Sequence, residues 1–101
     1  MDTIKKGFYY HYKHDPSGEI NNYAEEVMGT ALHTEEGKLL VIYRPLYKSD
    51  FLGSADYFAR PAEMFLEIVE KNCEKFSRFK LITDEKVIAK LRTIKDGLYK
   101  E

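Results

Sequence analysis

Leu39-Leu40-Val41-Ile42-Tyr43-Arg44-Pro45-Leu46-Tyr47 is the stretch whose reading decides the fold. Its first five residues are apolar, β-branched or aromatic, the composition of a strand. An unbroken apolar run predicts a central strand buried on both faces. Pro45 has no N–H to give a ladder, so the strand is expected to stop at Arg44. Upstream, Thr34-Glu35-Glu36-Gly37 reads as a hairpin loop whose glycine can take positive φ. It leads back to a second strand, Ala24 to His33, in which Gly29 signals a bulge or a close backbone approach. Before that, Asp15-Pro16-Ser17-Gly18 has the residues of a type I turn. A first strand, Phe8 to Lys13, alternates with Phe8, Tyr10 and Tyr12 on one face.

Downstream of the opening stretch, Lys48 to Ala55 is a polar, glycine-containing loop, and Tyr57 to Arg60 is a short strand closed by Pro61. The next segment allows two readings. Met64, Phe65, Ile68 and Val69 fit one helical stripe after a proline at its first position. They also fit a single helical turn at Ala62–Phe65 followed by a strand, with Asn72-Cys73 turning into Phe76–Ile82. The second reading is preferred because it uses Asn72-Cys73 as a hairpin turn. The chain ends in a helix over 84–98, capped by Thr83 or Asp84 and stopped by Gly97. Val87, Ile88, Leu91, Ile94 and Leu98 form its apolar stripe, expected to pack on the chain's own sheet. The class is therefore mainly β (α+β): a bent antiparallel sheet of about five strands with a C-terminal α-helix. The expected core is Phe8 or Tyr9, Val27, Leu40 or Val41, Ile42, Phe65, Val69 and Phe79.

Residues 1–101 are read as one domain, the β part over 7–82 and the helix over 84–98. Sixteen basic residues face 17 acidic ones, for a net charge of −1. Nucleic-acid binders carry a basic excess, so the balance argues against that partner class. No run approaches the ~20 apolar residues of a membrane span. Met1 to Lys6 lacks the apolar core of a secretory signal, and the lone Cys73 leaves no internal disulfide. A reducing cytoplasm is the expected setting.

Three of the four arginines stand in aromatic frames: Tyr43-Arg44-Pro45-Leu46-Tyr47, Tyr57-Phe58-Ala59-Arg60-Pro61 and Phe76-Ser77-Arg78-Phe79. A guanidinium among rings needs a carboxylate, an anion or a stacking partner. The candidate ligand site is Arg44, Arg60, Arg78, His11, His33, Tyr9, Tyr12, Tyr43, Tyr47 and Glu67. If Arg44 and Arg60 end their strands on one rim, with His11 or His33 beside them, they form a pocket for a small anion. The competing reading makes the arginines clips between strands, paired with Glu67 and carbonyls. No metal site is expected: His11 and His14 are three apart on a strand and face opposite sides. Cys73 has Glu74 beside it and reads as an inert thiol.

The residues so placed resemble a known family. Gly7, Tyr9, His11, Tyr12 and Lys13, then Gly29, Ala31, His33, Thr34 and Glu35, carry the likeness. So do Val41, Tyr43, Arg44, Leu46 and Tyr47, and finally Arg60, Pro61, Met64, Phe65, Glu67, Val69, Arg78 and Phe79. In this order, over about Gly7 to Ile82, they resemble the bacterial domain of unknown function 1653. Three departures stand out: a longer loop from His14 to Glu26, Tyr57-Phe58 in place of a tryptophan, and Ser77 in place of a proline. The resemblance implies a small SH3-like barrel in the bacterial cytoplasm and carries no established activity. The expected function is a non-enzymatic binding module, without cofactor, for a small anionic or aromatic molecule or a peptide. It is expected as a monomer or weak homodimer. The alternatives are a scaffold using the C-terminal helix and a small hydrolase or transferase using His11 or His33 as base.

Overall fold

The computed structural model describes residues 4–48 and 55–99. Most of the polar loop expected at Lys48–Ala55 lies outside the described residues. The elements are β1 (Gly7–His11), β2 (Ala24–His33), β3 (Lys38–Pro45), β4 (Phe58–Pro61), α1 (Ala62–Phe65), β5 (Ile68–Lys71), β6 (Glu74–Ser77), β7 (Phe79–Leu81) and α2 (Glu85–Leu98). Five strands form one antiparallel sheet in the order β4-β3-β2-β1-β7. It curls into a half-barrel, and β5 and β6 make a separate hairpin.

Local signals explain most of these boundaries. Gly18 N–H donates to Asp15 C=O at 3.0 Å, closing the turn that Pro16 and Gly18 announce. Gly37 takes φ +66 at the end of the β2–β3 loop, where an L side chain would be strained. Asn72 and Cys73 both take positive φ, 52 and 65, as a two-residue turn between antiparallel strands requires. The turn-then-strand reading of the segment after Pro61 is therefore what forms. The register of β2 against β3 shifts between Val27 and Gly29. This is the bulge expected at Gly29, and bulges of this kind bend a strand and increase its twist.

The sheet has two apolar faces. On the concave side Tyr9, Val27, Val41, Tyr43, Phe65 and Phe79 are buried together. Phe65, delivered by the single turn of α1, stacks on Phe79 with ring centres 4.5 Å apart. On the other side Phe8, Ala24, Leu46 and Ile82 pack with Leu91 of α2, flanked by Val87, Ile88 and Ile94. The helix thus covers the chain's own sheet. Asp84 caps it, accepting from Lys86 N–H at 2.9 Å.

Three expectations need correction. Gly97 lies inside α2, which continues to Leu98; one glycine near a helix end costs only about 1 kcal/mol. Ile42 and Val69 are only half-buried. The stretch around Leu39 is not covered on both faces, and Leu39 is 47% exposed. The helix reaches only the Arg44 end of β3 and the Leu46 that follows it, while Lys38 and Leu39 at the other end are exposed.

Candidate functional site

Strand alternation decides which side chains meet. Cross-strand partners share a face, and neighbours along a strand do not. Tyr9 pairs with Glu25, Val27 with Tyr43, Val41 with Arg60, and His11 with Phe79. Since Tyr9, Val27, Val41, Tyr43 and Phe79 are one cluster, Glu25, Arg60 and His11 belong to the same concave face. Every strand of the sheet contributes there, among them Arg60 from β4, Tyr43 from β3, Glu25 from β2, His11 from β1 and Phe79 from β7.

Contacts around this face are continuous. The Arg60 guanidinium lies 5.0 Å from the Phe79 ring centre and 5.9 Å from that of Tyr43. His11 meets Phe79 edge-on at 5.1 Å and lies over Tyr23 at 5.7 Å. Tyr23 in turn approaches Tyr47 at 6.2 Å. Tyr23 has φ 54, a strained value for an aromatic residue, and its ring is at the exposed rim.

Glu25 is the unusual member. It is 7% exposed, and its Oε2 has no hydrogen-bond partner among the described residues. Burial pushes its carboxyl up to about 7, against the opposing pull of Arg60. Burial also dominates at Tyr47, pushed up to about 12 with Glu25 adding to the rise, so this phenol keeps its proton. His11 is pushed down to about 4, first by burial and then by Arg60, Arg78 and Lys13. Its Nδ1 accepts from Lys13 N–H at 3.2 Å, so the neutral ring carries its proton on Nε2. At neutral pH the face therefore holds one guanidinium, one carboxyl group near its midpoint, and neutral donors.

The structure separates the residues that the sequence reading grouped. Arg44 and Arg60 lie on opposite faces of the sheet. Arg44 Nε donates to Glu26 Oε1 at 3.0 Å, its guanidinium lies 4.0 Å from the Tyr99 ring centre, and Lys95 Nζ reaches Glu26 Oε2 at 2.9 Å. This buried network fastens α2 to the sheet, with Tyr99 Oη donating to Pro45 C=O. It corrects the shared rim: both arginines precede a proline on extended backbone, but they sit in opposite strand phases. Arg78 Nη2 donates to Glu67 Oε1 at 2.7 Å, and the backbone N–H of Arg78 donates to Glu67 C=O at 2.9 Å. That pair is a clip holding the β5–β6 hairpin closed, with Tyr12 beside it at 6.0 Å. His33 ends the β2–β3 hairpin and accepts from Glu36 N–H at 3.2 Å, roughly 25 Å along β2 from Glu25. Tyr9 is buried and donates to Lys5 C=O. Of the ten residues in the predicted site, Tyr9, His11, Arg60, Tyr43 and Tyr47 share this face, Tyr9 as part of its buried floor.

Glu25 and Tyr23 were missed. The available signal for Glu25 was its place two residues before the core residue Val27 on the same strand, which puts a carboxylate on the buried face. Tyr23 had no comparable signal, because its φ is set by the loop entering β2.

A five-stranded half-barrel with a helix across its back and a polar, aromatic concave face is the class that fold and site define. The family described as "Protein of unknown function (DUF1653)" matches residues 7–81, and the chain belongs to it. A crystal structure of a DUF1653 protein from Bordetella bronchiseptica has a TM-score of 0.61 to this chain at 23% identity. The match covers 78% of this chain and 87% of that one. It is a likeness of fold. No curated protein matches the chain. No helix among the described residues is long and apolar enough to cross a membrane.

Proposed function

We propose that this protein is a non-enzymatic binding module of the bacterial cytoplasm that holds a small molecule on its concave face. The observation that carries the reading is Glu25: a buried carboxyl oxygen with no hydrogen-bond partner among the described residues, facing the charge of Arg60 amid tyrosines. A buried polar atom left unpaired costs about 1–3 kcal/mol. Among the described residues the Arg60 guanidinium has ring contacts with Tyr43 and Phe79 besides the pull of Glu25, and a sheet that retains such an atom beside it is arranged for an incoming partner. The aromatic walls supply apolar area and stacking.

The alternatives draw less support. A histidine base works best with a pKa near the working pH. His11 is pushed down to about 4 and is surrounded by cations, and His33 is remote from the other site residues. A scaffold using the stripe of α2 would need that stripe free, and Val87, Ile88, Leu91 and Ile94 pack on the sheet.

The reading is tested by a thermal-shift and NMR screen of the whole chain against nucleosides, sugar phosphates and small carboxylic acids. Ligands of the native state raise its stability by mass action. Binders should shift the resonances of Tyr23, Tyr43, Tyr47 and Arg60. Arg60→Ala should weaken them by about 1.5–3 kcal/mol, the scale of a charged hydrogen bond. Binders that leave those resonances unmoved, with affinity unchanged in Arg60→Ala, would place the site elsewhere.

A further inference from the structure

Resting on that reading, we infer that the concave site selects an uncharged, flat heterocycle with an amide edge, an N–H beside a C=O, over a simple anion or cation. The groups able to bond a ligand set this class. Among the described residues Oε2 of Glu25 accepts no hydrogen bond, and the Arg60 guanidinium is a source of donors on the same face. An amide edge carries the complementary pair, an N–H for Glu25 and a C=O for Arg60.

Charge points the same way. An anion paired with Arg60 would lie against the partly ionised carboxyl of Glu25, whose interaction with Arg60 is already felt. A cation paired with Glu25 would lie against Arg60. His11 is neutral and so adds no charge that would favour an anion. A neutral ligand avoids both repulsions. Flatness follows from the walls. Tyr23, 43% exposed and held at positive φ, offers its ring at the rim, with His11 and Tyr47 on either side. Two sources of this chemistry are a lactam-containing nucleobase and an aromatic carboxamide.

The test uses the whole chain, titrated by calorimetry and NMR with uridine and nicotinamide as the two sources. Their N-methylated forms, 3-methyluridine and N,N-dimethylnicotinamide, lack the N–H and serve as controls. Inorganic phosphate, benzoate and tetramethylammonium are the charged competitors. At least one amide probe should bind and move the resonances of Tyr23, Tyr47 and Arg60, and its methylated form should bind about tenfold or more weaker, as for a lost hydrogen bond to a charged group. Glu25→Gln, checked for folding by circular dichroism, should weaken the amide probe and leave an uncharged aromatic without an amide unaffected. Phosphate or benzoate binding at these residues, lost in Arg60→Ala and strengthened in Glu25→Gln, would overturn the amide class while leaving the ligand site intact. Tetramethylammonium binding there, lost in Glu25→Gln, would do the same. Silence at Tyr23, Tyr43, Tyr47 and Arg60 with every probe would overturn both the amide class and the ligand site.

Discussion

Replacing Glu25 by Gln should stabilise this protein at alkaline pH, although it removes a buried charged residue. The carboxyl is pushed up to about 7 in the fold, from an ordinary 4.5, chiefly by burial. The direction follows from linkage. A group whose folded pKa is raised favours the folded state fully below the unfolded pKa, and that contribution is lost as pH climbs through the folded pKa. Glu25 therefore costs little at pH 4, just under 1 kcal/mol at pH 5, and roughly 3 kcal/mol at pH 8, at about 1.36 kcal/mol per pKa unit. Gln has nearly the same volume and no charge to desolvate. It forgoes the attraction of Arg60 and leaves an amide to satisfy, so the net gain at pH 8 should be about 1–2 kcal/mol, from the same arithmetic with those losses subtracted. Urea unfolding of both proteins at pH 5 and pH 8 measures it. The variant should be more stable at pH 8, with the advantage shrinking towards pH 5. If it is less stable at pH 8, or if the difference ignores pH, then Glu25 is not a desolvated carboxyl. Its buried oxygen would then mark no ligand site. A natural residue whose removal stabilises the fold is expected where binding, not folding, retains it.

Other perturbations test the helix packing, the Arg44 network and His11. Leu91 of α2 is fully buried against the sheet, so Leu91→Ala should cost about 2–4 kcal/mol; the loss should not vary with protein concentration, and dissociation of a dimer would contradict packing on the chain's own sheet. Arg44→Ala strands Glu26 with Lys95 alone and should destabilise by about 3 kcal/mol without altering ligand affinity, a split that thermal unfolding and titration read separately. His11, pushed down to about 4, takes up protons more readily when unfolded, so its contribution is present above pH 6.5 and is lost as pH falls towards 4. His11→Gln should accordingly flatten the acid limb of the stability profile between those values, and an unchanged limb would argue that the imidazole is solvated.

Much of the fold was legible because its signals are local. Alternation marked β1. The stretch around Val41 marked β3, and Gly37 and Asn72-Cys73 marked two turns by the backbone angles they tolerate. The stripe from Val87 to Ile94 marked a helix with one face to bury. The site was legible only in part, since it depends on which strand phases face the same way. The aromatic frames correctly signalled that Arg44, Arg60 and Arg78 have structured surroundings, yet each found a different one: Glu26 and Tyr99, Tyr43 and Phe79, Glu67 and Tyr12.

By itself the sequence determined where the chain extends, turns and coils, because propensity, glycine freedom and periodicity act within a few residues. Only the tertiary structure decided that Glu25 faces the concave side and Glu26 the helix, that Arg60 joins the first and Arg44 the second, and that Tyr23 closes the rim. Those outcomes depend on cross-strand register, on the bulge between Val27 and Gly29, and on which face α2 covers. Each is a pairing between segments far apart in the chain, and a one-residue slip would reverse it.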